Sequence, residues 1–316
     1  MSGPPECEGR GLARQPARQA LLDLLGANPD RGAVEPDDWP AILALASGGI
    51  EPILALEAER RGMAIPAAVR ARLVQARQRS AAAALKRQAA LRPAFAALDR
   101  AGIPFIVLKG LALAYRVYPT PETRTMNDVD LWVEASALDD ATNALEAEGW
   151  RAPWWRDETG PAAGEQCLQY RDSRVLIELH YPPKSISDLM ADGGASLWSA
   201  RVPASLGWAE ACVLPPEETL LHLSLHLAEH HRFINALGRL LDVTLVLRKS
   251  AADIDWPAFA QRCASLEASG WVGVTLGTAR RMFGAPVPAD ALASFGIADL
   301  DDLCMVAEEQ AWLRPR

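Results

Sequence analysis

Two aspartates one residue apart, Asp128 and Asp130, interrupt the run "NDVDLWVE", which otherwise has the apolar character of a buried β-strand. Alternate side chains of a strand point to the same face. The two carboxylates therefore project together, while Val129, Leu131 and Val133 turn to the opposite, core-facing side. Neighbouring carboxylates repel, and one holds its proton unless a cation compensates the pair. A divalent metal meets that need: magnesium takes oxygen ligands, one or two carboxylates together with substrate phosphates and water. In a two-metal site a further carboxylate joins from a neighbouring strand. Glu178, an acid within the apolar run "VLIELH", fits that place because it follows a crossover helix, as a sheet neighbour does. Asp128, Asp130 and Glu178 are therefore the candidate metal-binding and catalytic residues, with Mg2+ or Mn2+ the expected cofactor.

The elements that must position these acids can be read on either side of them. Residues 1 to 20, rich in Gly, Pro, Arg and Gln, are expected to form a loose tail. From Leu21 to residue 100 the apolar spacing is helical. Within this region "VRARLVQARQRSAAAALKRQAALR" carries Arg70, Arg72, Arg77, Arg79, Lys86, Arg87 and Arg92 without an acid between them. Such a run reads first as a solvated helix face, and second as a basic side leaning toward a phosphate-bearing ligand. Gly102 and Pro104 then end the helical pattern. "IPFIVLK" reads as a buried strand, "LALAYRVY" as a short helix, "DVDLWV" as the acidic strand, "SALDDATNALEAEGW" as a helix and "SRVLIELHY" as a third strand. A polar, Trp-rich connection including Trp154 and Trp155 spans 150 to 172, and no role is assigned to the tryptophans. Beyond it Pro215 and Pro216, followed by Glu217 and Glu218, suit the start of a helix, whose positive end favours acids. The expected fold is α+β (mixed α/β). It comprises a tail at 1–20, a helical region at 21–100, an α/β core at 101–185 and a second helical region at 186–316.

The chain has 316 residues, half of them hydrophobic, a formal net charge of -8 and a pI near 5.3. That balance argues against a general grip on long nucleic acid, which depends on Lys and Arg displacing counterions from phosphates. Five scattered cysteines with no C-x-x-C pair suggest neither a disulfide framework nor a zinc ribbon and point to a reducing, cytoplasmic setting. No segment supplies the ~20 apolar residues of a membrane helix. All five histidines lie between 180 and 231, and His222, His226 and His230 share a helix face at i, i+4, i+8. Without Cys or an H-E-x-x-H pattern beside them, zinc is the weaker reading. Asp242, three residues after Arg239, suits a helical ion pair.

The ordered set "FIVLKGLALAYRVYPTPETRTMNDVDLWV", then "VLIELHY", then "LLHLSLHLAEHHRFINALGRLLDV" resembles a bacterial family of uncharacterised nucleotidyltransferases in the polymerase-beta-type superfamily, over roughly residues 85 to 250. The resemblance implies a small mixed sheet with helices on one side and a metal triad of Asp128, Asp130 and Glu178. It further implies attack by an acceptor hydroxyl on the α-phosphate of an NTP, with ATP the expected donor, and loss of pyrophosphate. Where the superfamily places Gly-Ser or Gly-Gly after its first strand, this chain has Lys109-Gly110. Lysine would supply a point charge to the triphosphate, and Gly110 close backbone approach at a helix start. Arg124, with its planar fork, would be a second phosphate contact. His180, His226 and His230 are expected to line the cleft. The acceptor is expected to be a peptide, a protein or a small molecule. The alternative is a non-catalytic nucleotide-binding or partner-binding protein that keeps the fold.

Overall fold

A computed structural model describes residues 14–27, 34–46, 49–153, 165–171, 173–183 and 194–313. Trp154 and Trp155 lie outside these residues. The first helix, α1 (Arg14–Leu22), starts within the stretch expected to be tail, because Ala17, Leu21 and Leu22 find a core to bury against. Helices α2 (Trp39–Leu45) and α3 (Glu51–Arg60) follow, then the 34-residue α4 (Ala67–Arg100), which continues through Pro93.

The core alternates strands and helices: β1 (Ile106–Val107), α5 (Lys109–Arg116), β2 (Asp128–Trp132), α6 (Leu138–Ala147), β3 (Trp150–Arg151), β4 (Glu165–Tyr170) and β5 (Leu176–His180). After α7 (Ala195–Ser199) come β6 (Val202–Ser205) and β7 (Glu210–Val213). The remaining helices are α8 (Pro216–His231), α9 (Leu237–Ser250), α10 (Trp256–Ser265), α11 (Ser269–Phe283), α12 (Ala289–Ser294) and α13 (Leu300–Ala311).

One seven-stranded mixed sheet runs in the order β3-β4-β5-β2-β1-β7-β6. The sheet does not stop at residue 185. β7 pairs parallel to β1, and β6 folds back antiparallel onto β7, so the expected all-helical region contributes an edge hairpin. β4, hidden in the polar connection, pairs antiparallel with β5. The polar run "EQCLQY" becomes a strand because β5 offers it a ladder, and of its described side chains Cys167 and Leu168 are buried.

Both faces of the sheet are covered, which corrects the expectation of helices on one side. On the back face Val129, Leu131 and Val133 of the acidic strand region pack with Ile177 and Leu179 against Leu91, Phe95 and Leu98 of α4 and Leu145 of α6. On the front face Ile106, Leu108 and Trp132 join the larger cluster built from the N-terminal helices and α8 to α13. The alternation of β2 thus sends its apolar residues into the back core and its acids toward the front helices.

Leu131 is completely buried in the back core. Leu131→Ala should lower unfolding free energy by about 2–5 kcal/mol through lost burial and a residual cavity. Urea denaturation will measure the change.

Candidate active site

β2 and β5 run parallel with Asp130 opposite Glu178 and Trp132 opposite His180. In-register residues on adjacent strands share a face roughly 4.8 Å apart, so the two acids stand side by side. A ligand atom from each of Asp130, Glu178 and His180 lies within 4.8 Å of the others. Two carboxylates and an imidazole on one face form a donor set that suits a divalent cation. Asp128 is two residues back on the same face and lines the same cleft, outside that tight group.

The buried charge of Asp130 is compensated from two sides. Lys109 donates from Nζ to Oδ1 at 2.7 Å, and His180 Nε2 lies 2.8 Å from the same oxygen. Burial opposes ionisation, but the lysine charge and the His180 contact outweigh it and hold the Asp130 carboxyl well below the usual range. Asp128 moves the other way, raised by burial and then by the charge of Asp130. The pair therefore divides into one firmly ionised and one more basic carboxyl.

Lys109 opens α5 with φ 43°, a left-handed conformation unusual for a residue with a Cβ. The left-handed turn into the helix is thus made by Lys109 and not by Gly110, which follows inside the helix. A Cβ added to Gly110 would stand 3.3 Å from the Met126 Cβ, so glycine keeps this helix start close to the loop before β2.

Arg124 is held differently from the expected free fork. Its Nε and Nη2 each donate to a carboxylate oxygen of Asp242 at 2.8 Å, and Nη1 bonds the Thr125 carbonyl. Tyr118 donates its hydroxyl to Asp242 Oδ1 at 2.7 Å. Burial works against the Arg124 charge, but Asp242 more than restores it and raises the guanidinium pKa. Asp242 is therefore not the partner of Arg239. It faces inward, where the two-toothed Arg124 contact satisfies both its oxygens, while Arg239 bonds the Asn235 carbonyl and lines the cleft.

The histidines separate. His226 lines the cleft. His180 lies behind Asp130 as its hydrogen-bond partner and is not part of the cleft wall. His230 stacks on His226 with ring centroids 4.8 Å apart but reaches the exposed side of α8. The second histidine of the wall is His231, whose Nε2 is 3.3 Å from His226 Nε2. Helical spacing did not single out His231, because i, i+5 falls off the shared face, and the contact depends on the end of α8.

The cleft encloses about 1260 Å³ and contains Lys109, Gly110, Arg124, Asp128, Asp130, Glu178, His226 and Arg239. Small-ligand pockets generally measure about 300–1,000 Å³, so the cleft is larger than most of them. Its walls come from α2, the loop before β2, α8, α9 and the chain after α13. Among the described residues no helix is long and apolar enough to cross a membrane.

Paired acids on a sheet face, a lysine at the start of the helix that precedes the acidic strand and a large polar cleft make up the candidate site. The chain belongs to a family of uncharacterised nucleotidyltransferases, whose model matches residues 35–284, and so has a general nucleotidyl-transfer role. No curated protein matches it significantly. The crystal structure of JHP933 from Helicobacter pylori aligns with 72% of this chain and 93% of its own, at 10% identity and a TM-score of 0.36. At that score the fold assignment rests on the topology of this chain alone.

Removing one partner of a buried ion pair leaves the other uncompensated. Asp242→Asn should therefore cost about 3–5 kcal/mol, and Arg124→Met/Asp242→Leu should recover most of the loss in a thermal melt. A second test concerns pH. Burial first, and then the Lys109 charge, push His222 down to about 3. His226 shifts the same way, with burial again the largest cause. Unfolding lets His222 take up a proton at its ordinary value of about 6.5. Stability is thus fully present above about pH 6.5 and falls as the pH drops toward 3, by roughly 1.4 kcal/mol per unit for one such group. His222→Leu should flatten the slope of urea midpoints between pH 7.5 and 5.

Proposed function

We propose that the protein transfers a nucleoside monophosphate from an NTP, with ATP the donor, to a hydroxyl or phosphate acceptor on a peptide, protein or small molecule. The reaction forms a bond from the acceptor oxygen to the α-phosphorus and breaks the bond from that phosphorus to the bridging oxygen. Pyrophosphate leaves, and for a hydroxyl acceptor the proton passes to a carboxylate of the cleft. The observation that carries this reading is the alignment of Asp130 with Glu178 on adjacent strands, with Asp128 on the same face, inside the large cleft.

A divalent cation, Mg2+ or Mn2+, held by Asp128, Asp130 and Glu178 with His180 beside them, would supply positive charge to the attacking and leaving oxygens. In a two-metal, polymerase-beta-type arrangement both ions would lie over this face. The chain's own groups have distinct work. Lys109 brings an ammonium to the triphosphate once Asp130 has another counter-charge, and Gly110 admits the phosphates to the backbone at the start of α5. His180 fixes the orientation of the Asp130 carboxylate. Arg124 braces the loop leading into β2 while facing the cleft. Arg239, bonded to a carbonyl and to no carboxylate among the described residues, is the cleft's better-placed cation for the β- and γ-phosphates. The charge balance and cysteine usage favour a cytoplasmic protein that does not take long nucleic acid as substrate.

A second reading has its own support. The Lys109 to Asp130 ion pair neutralises the most buried of the three clustered acids without a metal, as a nucleotide-binding protein with no transfer activity would need.

The test is incubation of a host lysate with each α-32P-labelled NTP and magnesium or manganese, comparing wild type with Asp128→Asn and Asp130→Asn. Label should pass to an acceptor and fall at least 100-fold in both variants. NTP binding without label transfer would favour the second reading, and no NTP binding in either metal would defeat both. Arg239→Gln should raise KM for the NTP about tenfold or more with little change in melting temperature.

A further inference from the structure

A second polar groove, about 610 Å³, lies between α3 and α4 and opens beside the active cleft. The two share Gly49, Thr125 and Met126. The partition is thin: Thr125 donates from Oγ1 to the Gly49 carbonyl at 3.0 Å. Gly49 has φ +106°, and a Cβ there would fall 2.1 Å from that Oγ1. Only glycine allows this approach.

The groove floor is the basic face of α4. Arg72 is neutralised by Glu51, with Nη2 to Oε1 at 2.5 Å. Arg79 is exposed and has no ion pair or hydrogen bond among the described residues. Arg87 is the unusual member. Its residue is only 9% exposed, yet its one hydrogen bond is from Nη1 to the Met126 carbonyl at 3.3 Å, and no carboxylate pairs with it among the described residues. Burying an uncompensated guanidinium is costly unless another anion completes it. None of its nitrogens is both sealed from solvent and unbonded, and the residue lines the groove. Met126, whose carbonyl Arg87 bonds, also lines the active cleft, so Arg87 lies at the end of the groove nearest the acids.

Three arginines against one glutamate leave the groove net positive, which suits an anionic occupant, and the planar fork of Arg87 matches the geometry of phosphate oxygens. Arg79 and Arg87, eight residues apart on one helix, are about 12 Å apart along the axis, so the occupant is elongated. The volume suits a molecule of sugar-phosphate size. Among the described residues no aromatic side chain lines the groove to stack a base.

We propose that this groove binds the acceptor substrate, and that the acceptor is a small phosphate-bearing molecule whose phosphate is gripped by Arg87 and steered by Arg79 toward the acids. This rests on the transferase reading above.

Calorimetric titration of the full chain with ribose 5-phosphate, ribose and gluconate tests it, with and without magnesium and a non-hydrolysable ATP analogue. Ribose 5-phosphate should bind with the nucleotide present, while ribose and gluconate should bind at least tenfold more weakly. Arg87→Gln should weaken the phosphate probe at least tenfold, and the exposed Arg79→Glu about as much with an unchanged melting temperature. That second variant keeps the test decisive if Arg87→Gln unfolds. No binding of ribose 5-phosphate, equal binding of gluconate, displacement by the nucleotide analogue, or indifference to Arg79→Glu would overturn the proposal. If the analogue itself fails to bind while the phosphate probe does, the transferase reading falls and the groove stands as an anion site.

Discussion

The arrangement turns on one buried carboxylate. Asp130 stands on a central strand next to Glu178, withdrawn from water, and a charge in that position is untenable alone. Lys109 and His180 make it tenable by meeting the same oxygen from two sides. The lysine reaches it from a left-handed residue at the start of α5, and the histidine from the end of β5, where it is in register with Trp132. Such compensation can be exchanged: a metal ion could take over the role of the ammonium and free it for a substrate.

A second, more rigid pair supports the first. Arg124 precedes β2 by four residues, and Asp242 lies in the middle of α9, more than a hundred residues later. Their double contact, with the Tyr118 hydroxyl added, ties the loop that presents the acids to the helix that forms the far wall. The cleft is thereby assembled from the N-terminal helices, the sheet and the C-terminal helices together, and does not reside in the α/β core alone. The basic face of α4 divides in a similar way. Arg72 and Arg77 are absorbed by acids of α3, while Arg87 sinks beside the loop before β2 with no acid partner among the described residues.

Much of the acidic centre was legible because period-two alternation is a local property. Val129, Leu131 and Val133 had to face opposite to Asp128 and Asp130, and the core they enter obeys that rule. The helix beginning at Pro216 was legible for the same reason, since proline and acids at its start act within one turn. β4, β6 and β7 were not legible. β6 and β7 have four residues each and β4 is largely polar, so pairing with β5 and β1 decides their conformation more than propensity does. Arg239 and Asp242 misled because their spacing permits a helical pair, whereas burial directs one inward and the other into the cleft.

The sequence by itself determined the alternation that exposes two acids on one strand face, the third acid two residues before His180, the helical flanks and the family. Tertiary structure alone decided which charges meet. The partner of Asp130 is a lysine 21 residues earlier, that of Asp242 an arginine 118 residues away, and Arg87 meets a carbonyl but no carboxylate among the described residues. Alternation and capping are settled within a few residues, but the compensation of a buried charge depends on which side chains the closed chain brings within hydrogen-bonding distance, and spacing along the sequence does not carry that information.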